Sequence, residues 1–283
     1  MKKVLQCVLI IVFGITICGC SKEAPSYDNV DVDTLLTTYL EKPTKGRPKS
    51  QDPIDNIFIA LNTLKEATYY KSISNGTVKA KKAMVNINQS VDTTRIVTPS
   101  ATFVETKSIS SFVKVAEQLY ITDEIVLKRD SKKATSESVT WQNNTSKLTI
   151  AQYLQDYGYS SNDPIRFIIN EQTVKDDIEI ITNGTGRKYT YKFSLDPLLS
   201  TYYYRTNVKN TAGASDYPTF KKIEVTMTFD YKWRMTRIET YEEYSITMNG
   251  IGTVNCEASL TETFKNINKE TRIEQESFFK NYL

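Results

Sequence analysis

Histidine is absent from all 283 residues. That excludes Ser-His-Asp triads, Cys–His dyads, HExxH zinc sites and His-ligated haem together. Charge of one sign is also lacking: the formal net charge is +3, and the charged residues are interspersed. Nothing in this balance calls for nucleic acid. Glycine (10) and proline (8) are sparse, and no repeat or low-complexity tract occurs. No apolar run reaches the ~20 residues that a membrane-spanning helix needs. The longest, residues 4–17, is interrupted by Gln6, Gly14 and Thr16.

That run has a different use. Lys2 and Lys3 precede it, and Ile17-Cys18-Gly19-Cys20 closes it. A short positive segment, an apolar core and small residues form a secretory signal. The ending resembles the bacterial lipobox, with Cys18 where Ala or Ser is usual. The resemblance implies cleavage before Cys20, a diacylglyceryl thioether on its sulfur, and extracytoplasmic attachment to a membrane. Two acyl signals make such attachment stable. Of the four cysteines, Cys7 and Cys18 leave with the signal and Cys20 is acylated. Cys256 then remains without an intrachain partner, and its alternating apolar surroundings make it a buried small hydrophobe.

The organisation expected is a signal peptide over 1–19, a polar tether over 20–51 with a short helix at 34–40, and one domain over 52–283. Asp52 and Pro53 form a helix start. Ile54, Ile57, Phe58, Leu61 and Leu64 then follow at helical spacing to about Thr68. From 72 to 142 the period drops to two, with polar breaks, as in an antiparallel meander. Thr149 caps a helix over 150–156, closed by Gly158. Asp163-Pro164 opens a second, carrying Ile165, Ile168 and Ile169. Residues 178–182 and Tyr189, Tyr191, Phe193, Leu195 flank Asn183-Gly184-Thr185-Gly186 as a hairpin. Asp196-Pro197 starts another helix. A three-strand meander covers 223–264, apolar on one side and polar on the other. Residues 266–283 read as a terminal helix packed through Ile273, Phe278, Phe279 and Tyr282. Without βαβ rhythm, the class is α+β with an antiparallel sheet.

The order of signal, cysteine, tether, amphipathic helix, meander, helices and meander resembles the lipoprotein-carrier superfamily, the Lol-type carriers and their anchored lipoprotein relatives. The likeness is one of pattern over about 52–264. It implies a strongly curved antiparallel half-barrel wrapped around helices, with a hydrophobic cavity for acyl chains. An anchor at Cys20 fits the relatives that stay in place better than those that shuttle.

Catalytic chemistry has little to stand on. Asp176-Asp177 and Glu242-Glu243 are adjacent carboxylates, but strand neighbours point to opposite faces. Neither pair focuses on one substrate, and both read as solvated. No cofactor or metal motif is present, and the expectation is a non-catalytic protein. Phe58, Tyr69, Tyr153, Tyr189, Tyr191, Tyr202 and Tyr203 fall on sides expected to face the interior. They are core, or they line a slot for a lipid or other hydrophobic ligand. The alternative is an envelope structural or protein-interaction module with a fully packed interior.

Overall fold

The computed structural model describes residues 30–31, 52–82, 85–161, 163–182, 188–248, 250 and 252–283. Cys20, the segment 34–40 and the Asn183–Gly186 turn lie outside them.

Strand propensity dominates, and twelve strands form one open antiparallel sheet. Helix α1 is Pro53–Lys65. It is followed by β1 (Tyr70–Lys82), β2 (Val85–Val97), β3 (Thr102–Ile109), β4 (Lys114–Ile121), β5 (Ile125–Ala134), β6 (Val139–Trp141) and β7 (Ser146–Thr149). Next come α2 (Ile150–Tyr157), β8 (Glu179–Thr182), β9 (Lys188–Ser194) and α3 (Tyr204–Ala212). The chain ends with β10 (Thr219–Asp230), β11 (Met235–Met248), β12 (Gly252–Lys265) and α4 (Glu276–Lys280). The order across the sheet is β6-β5-β4-β3-β2-β1-β12-β11-β10-β9-β8, with β7 also pairing β5. The first meander runs outward from β1 and the last runs inward to β12. Among the described residues the two join where β1 meets β12, from Lys71↔Lys265 to Lys81↔Asn255. The result is a curved α+β half-barrel.

The two faces are covered differently. On the inner face, Ile57, Phe58, Leu61 and Leu64 of α1 are buried in one cluster with Tyr191, Val225, Met227, Phe229, Ile238 and Phe264. Each fully buried side chain of this size contributes about 1.5–3 kcal/mol. Farther along that face, Tyr153 of α2 packs with Leu119, Ile121 and Val126. On the outer face, the C-terminal residues cross back over the first meander. Phe279 is fully buried and packs with Ile273 against Ile96, Phe103, Tyr120 and Leu127. Phe279 stacks on Tyr120 at 5.3 Å between ring centroids.

The helix caps follow the side-chain chemistry. Asp52 accepts from Ile54 N at 2.8 Å, with Pro53 in the first turn. Thr149 and Gln152 form a reciprocal capping box, and Gly158 closes α2 at φ 80°. Cys256 is buried, as its surroundings require.

One expected helix ends early and three others are replaced or shortened, mostly where long-range bonds capture the backbone. Helix α1 ends at Lys65, because Thr68 N donates to Asn268 Oδ1 and Asn268 N donates to Tyr69 O. Residues 163–170 are an irregular strap. The Asp163 carbonyl accepts from Arg95, and Ile168 N donates to Ser200 O. Ile165, Ile168 and Ile169 are nonetheless buried. Asp196 does cap Leu198 N and Leu199 N, but only turns follow, and regular helix begins at Tyr204. The terminal helix shrinks to Glu276–Lys280, after Asn266 and Asn268 take left-handed φ of 56° and 57°. Asparagine tolerates that region better than most residues. Strand β7 was not foreseen.

The outer-face lock generates a test. Phe279→Ala leaves a cavity among four aromatic or aliphatic neighbours and should cost about 3–5 kcal/mol. Urea denaturation followed by tyrosine fluorescence measures it; a loss below about 1 kcal/mol would show that the tail is dispensable.

Candidate functional site

The seven aromatic residues singled out from sequence do not line one slot. Phe58 and Tyr191 are buried in the α1 cluster, with Tyr189 packed against it. Tyr191 accepts from Asn56 Nδ2 at 3.1 Å, and Tyr189 stacks on Trp233. Tyr153 belongs to the separate α2 cluster, stacked on Tyr157. Tyr202 and Tyr203 are half-buried in the turns before α3 and pack edge-to-face on each other. Tyr69 is half-buried beside the end of α1. The structure therefore brings together Phe58, Tyr189 and Tyr191, sets Tyr202 and Tyr203 against each other, and leaves Tyr69 and Tyr153 elsewhere.

Between the two inner-face apolar clusters runs a seam of ionisable groups under residues 158–170. Strand alternation puts Glu242 inward, opposite Ala258 on β12 and Ile223 on β10. Its neighbour Glu243 points outward and accepts from the Tyr241 hydroxyl. The expectation of two solvated carboxylates thus fails for Glu242, which is 0% exposed. It holds for Asp176 and Asp177, which are exposed. Glu242 survives burial because Arg166 Nη2 donates to its Oε1 at 2.6 Å. The Arg166 guanidinium also lies over the Tyr204 ring, 4.7 Å from its centroid. Burial pushes the Glu242 carboxyl above its ordinary range, and Arg166 opposes the shift. Its Oε2 and the Ser74 hydroxyl are buried with no hydrogen-bond partner among the described residues.

A second arginine serves the same seam. Arg95 on β2 donates to the Asp163 carbonyl at 2.9 Å and faces Tyr70, Glu262 and Tyr159. Lys65 of α1 reaches the Asp163 carboxylate at 3.4 Å. Toward α2, Glu117 accepts from the Tyr157 hydroxyl at 2.6 Å and from Lys128. Burial, then the Glu117 carboxylate, drives the Tyr157 phenol far above its usual range. Burial opposes the charge on Lys128, and Glu117 outweighs it, so Lys128 stays protonated.

Chemically, the seam holds groups in place. Two carboxylate–cation pairs tie the strap at 163–166 to β11 and α1, and the Arg95 bond to the Asp163 carbonyl ties it to β2. Glu242, the buried carboxylate that acid–base chemistry would use, is engaged by Arg166. No group of three or more His, Cys, Asp or Glu suited to a metal ion occurs among the described residues. Sequence reading missed the seam because charged residues are read as solvent-facing. The one signal was parity, since Glu242 shares the phase of Ile238, Tyr244 and Ile246.

No family model matches the chain, and none of the curated proteins compared with it does. A DUF1329 family protein from Desulfovibrio piger aligns over 79% of this chain and 94% of its own at 8% identity, with a TM-score of 0.29. MucB in complex with MucA(peri) aligns over 77% and 95% at 4% identity, with a TM-score of 0.14. Superpositions this loose carry no argument about function.

The seam has two measurable consequences. Glu242→Ala leaves the Arg166 charge without its carboxylate and should cost about 3 kcal/mol. A carboxyl raised on folding stabilises most below its unfolded value, about 4.3, and loses that contribution as pH rises through the folded value. The stability of the wild type relative to Glu242→Gln should therefore fall as pH rises above the ordinary carboxylate range in denaturant titrations. A pH-independent difference would refute the raised carboxyl.

Proposed function

We propose that this is a membrane-anchored extracytoplasmic lipoprotein, acylated at Cys20, whose domain binds its ligand on its surface and performs no chemistry. The single observation that carries the surface-binding reading is the filled inner face. Among the described residues, thirty buried side chains of α1, the 163–170 strap, α3 and the sheet, none more than 8% exposed, pack as one cluster. A lipid slot requires apolar space lined by side chains free to touch a ligand. Here Phe58 and Tyr191 are 4% and 1% exposed and are packed within that one cluster instead. The packed-module reading thus accounts for the aromatic residues better than a lipid-filled cavity does. The lipobox at 17–20 supports the anchor, and the lack of histidine together with the engagement of Glu242 by Arg166 supports a non-catalytic role.

Native mass spectrometry of the full chain, extracted in mild detergent, tests both halves. The expected mass is that of a chain beginning at Cys20 with its covalent acyl groups and nothing else. A non-covalent lipid that survives extraction would overturn the packed reading. A Cys20→Ala chain should lose metabolic fatty-acid labelling; label retained in that variant would overturn the anchor.

A further inference from the structure

The outer face of the sheet carries a groove of about 460 Å³ at its centre, across β1, β12, β11 and β10. That size lies within the roughly 300–1,000 Å³ of small-molecule clefts. Register explains its form. Outward positions run across the strands as Glu224, Tyr241, Ser259 and Thr77, and beside them as Thr226, Glu239, Thr261 and Asn75. Ser259, Thr261, Thr226 and Thr77 are short and make a floor of hydroxyls. Tyr241, Glu239, Glu224 and Asn75 are longer and make the walls. Each wall group is braced from outside the groove. Arg237 donates to Glu239 Oε1 at 2.7 Å, and Lys222 to Glu224 Oε1 at 2.8 Å. The Tyr241 hydroxyl donates to Glu243 at 2.9 Å, and Asn75 donates to Asp92 at 2.7 Å. Both wall carboxylates keep their second oxygen available, and polar groups fixed in this way bind with little loss of side-chain entropy.

The lining narrows the ligand class. A lipid or other apolar ligand would find Leu260 and the Tyr241 ring, but would have to bury the Glu224 and Glu239 carboxylates and the threonine and serine hydroxyls against them. An anion would meet Glu224 and Glu239, while the nearest cations, Lys222 and Arg237, are already paired. An extended peptide adds to a free strand edge, and all four strands here are paired on both sides. A neutral polyol suits the hydroxyls, the carboxylates and the Tyr241 ring, beside which the Lys222 ammonium lies 5.6 Å from the centroid. Its hydroxyls donate to the carboxylates and exchange hydrogen bonds with serine, threonine and asparagine, and its C–H face rests on the tyrosine ring.

From this geometry we propose that the groove is a binding site for a neutral saccharide, with Tyr241 as the stacking platform and Glu224 and Glu239 as hydroxyl acceptors. The inference rests on the reading of the domain as a surface-binding module and adds the chemistry of what is bound. The test uses the full mature chain in detergent, titrated calorimetrically with short soluble oligomers of glucose, N-acetylglucosamine, mannose and galactose. At least one should bind. Tyr241→Ala removes the platform, and Ser259→Lys fills the floor from an exposed position. Each should weaken binding by about tenfold or more while leaving the far-ultraviolet circular dichroism unchanged. If one variant fails to fold, the other decides. Absence of binding at millimolar sugar, or binding retained by either folded variant, overturns the saccharide site and leaves the packed interior standing. A lipid retained in native mass spectrometry would do the reverse.

Discussion

The β1–β12 ladder joins residues 174 to 194 positions apart, and the architecture depends on it. Each meander is built from neighbours in sequence and closes its own short loops. Only this ladder turns two half-sheets into one surface. With β1 beside β12, α1 finds strands of the second meander to pack on. The same pairing sets Arg95 and Tyr70 on one side near Glu262 on the other. The seam, the strap and the outer groove all straddle this junction. Closing a loop of that length has a large entropic cost that grows only slowly with length, so eleven paired positions with buried side chains inside offset it.

The two faces solve different problems. On the inner side, apolar clusters flank ionisable groups that are tolerable only because each cation has a carboxylate or carbonyl within reach. Removing one partner from such a pair is far more damaging than replacing both. The seam therefore acts as a register mark. Arg166 can satisfy Glu242 only when residues 163–170 lie at one place on the sheet. On the outer side, the first meander is sealed by the tail, while the second stays polar and open. That asymmetry leaves hydroxyl-rich surface at the centre.

Much of this was legible in the chain. Alternation located β10, β11 and β12, and the Asp52-Pro53 and Thr149 caps located α1 and α2. What escaped was everything decided between distant residues. Asp163-Pro164 has the local chemistry of a helix start, but Arg95 takes its carbonyl. Residues 266–283 have helical periodicity, yet Phe279 is placed by Tyr120 and Phe103 rather than by its own helix. Tyr153 and Tyr191 were correctly read as inward-facing, but periodicity cannot say that they face different clusters. Glu242 was the sharpest miss, since a carboxylate among alternating apolar residues is informative only once its partner is known. The groove residues were invisible for the opposite reason: outward threonines and serines look like ordinary strand surface.

The tail that seals the outer face also governs when the sheet can exist. A chain made from its N-terminus presents β1 to β6 first, and β1 is then an open edge. An unpaired strand edge invites pairing with other chains. Its proper partner, β12, and the Phe279 lid lie in the last 32 residues. The first meander is therefore incomplete until these residues are made, and a chain that stops before them keeps both its exposed β1 edge and its bare aromatic strip. Chains that lack residues 252–283 should be sticky intermediates, because those residues pair the β1 edge and cover the aromatic strip of the first meander.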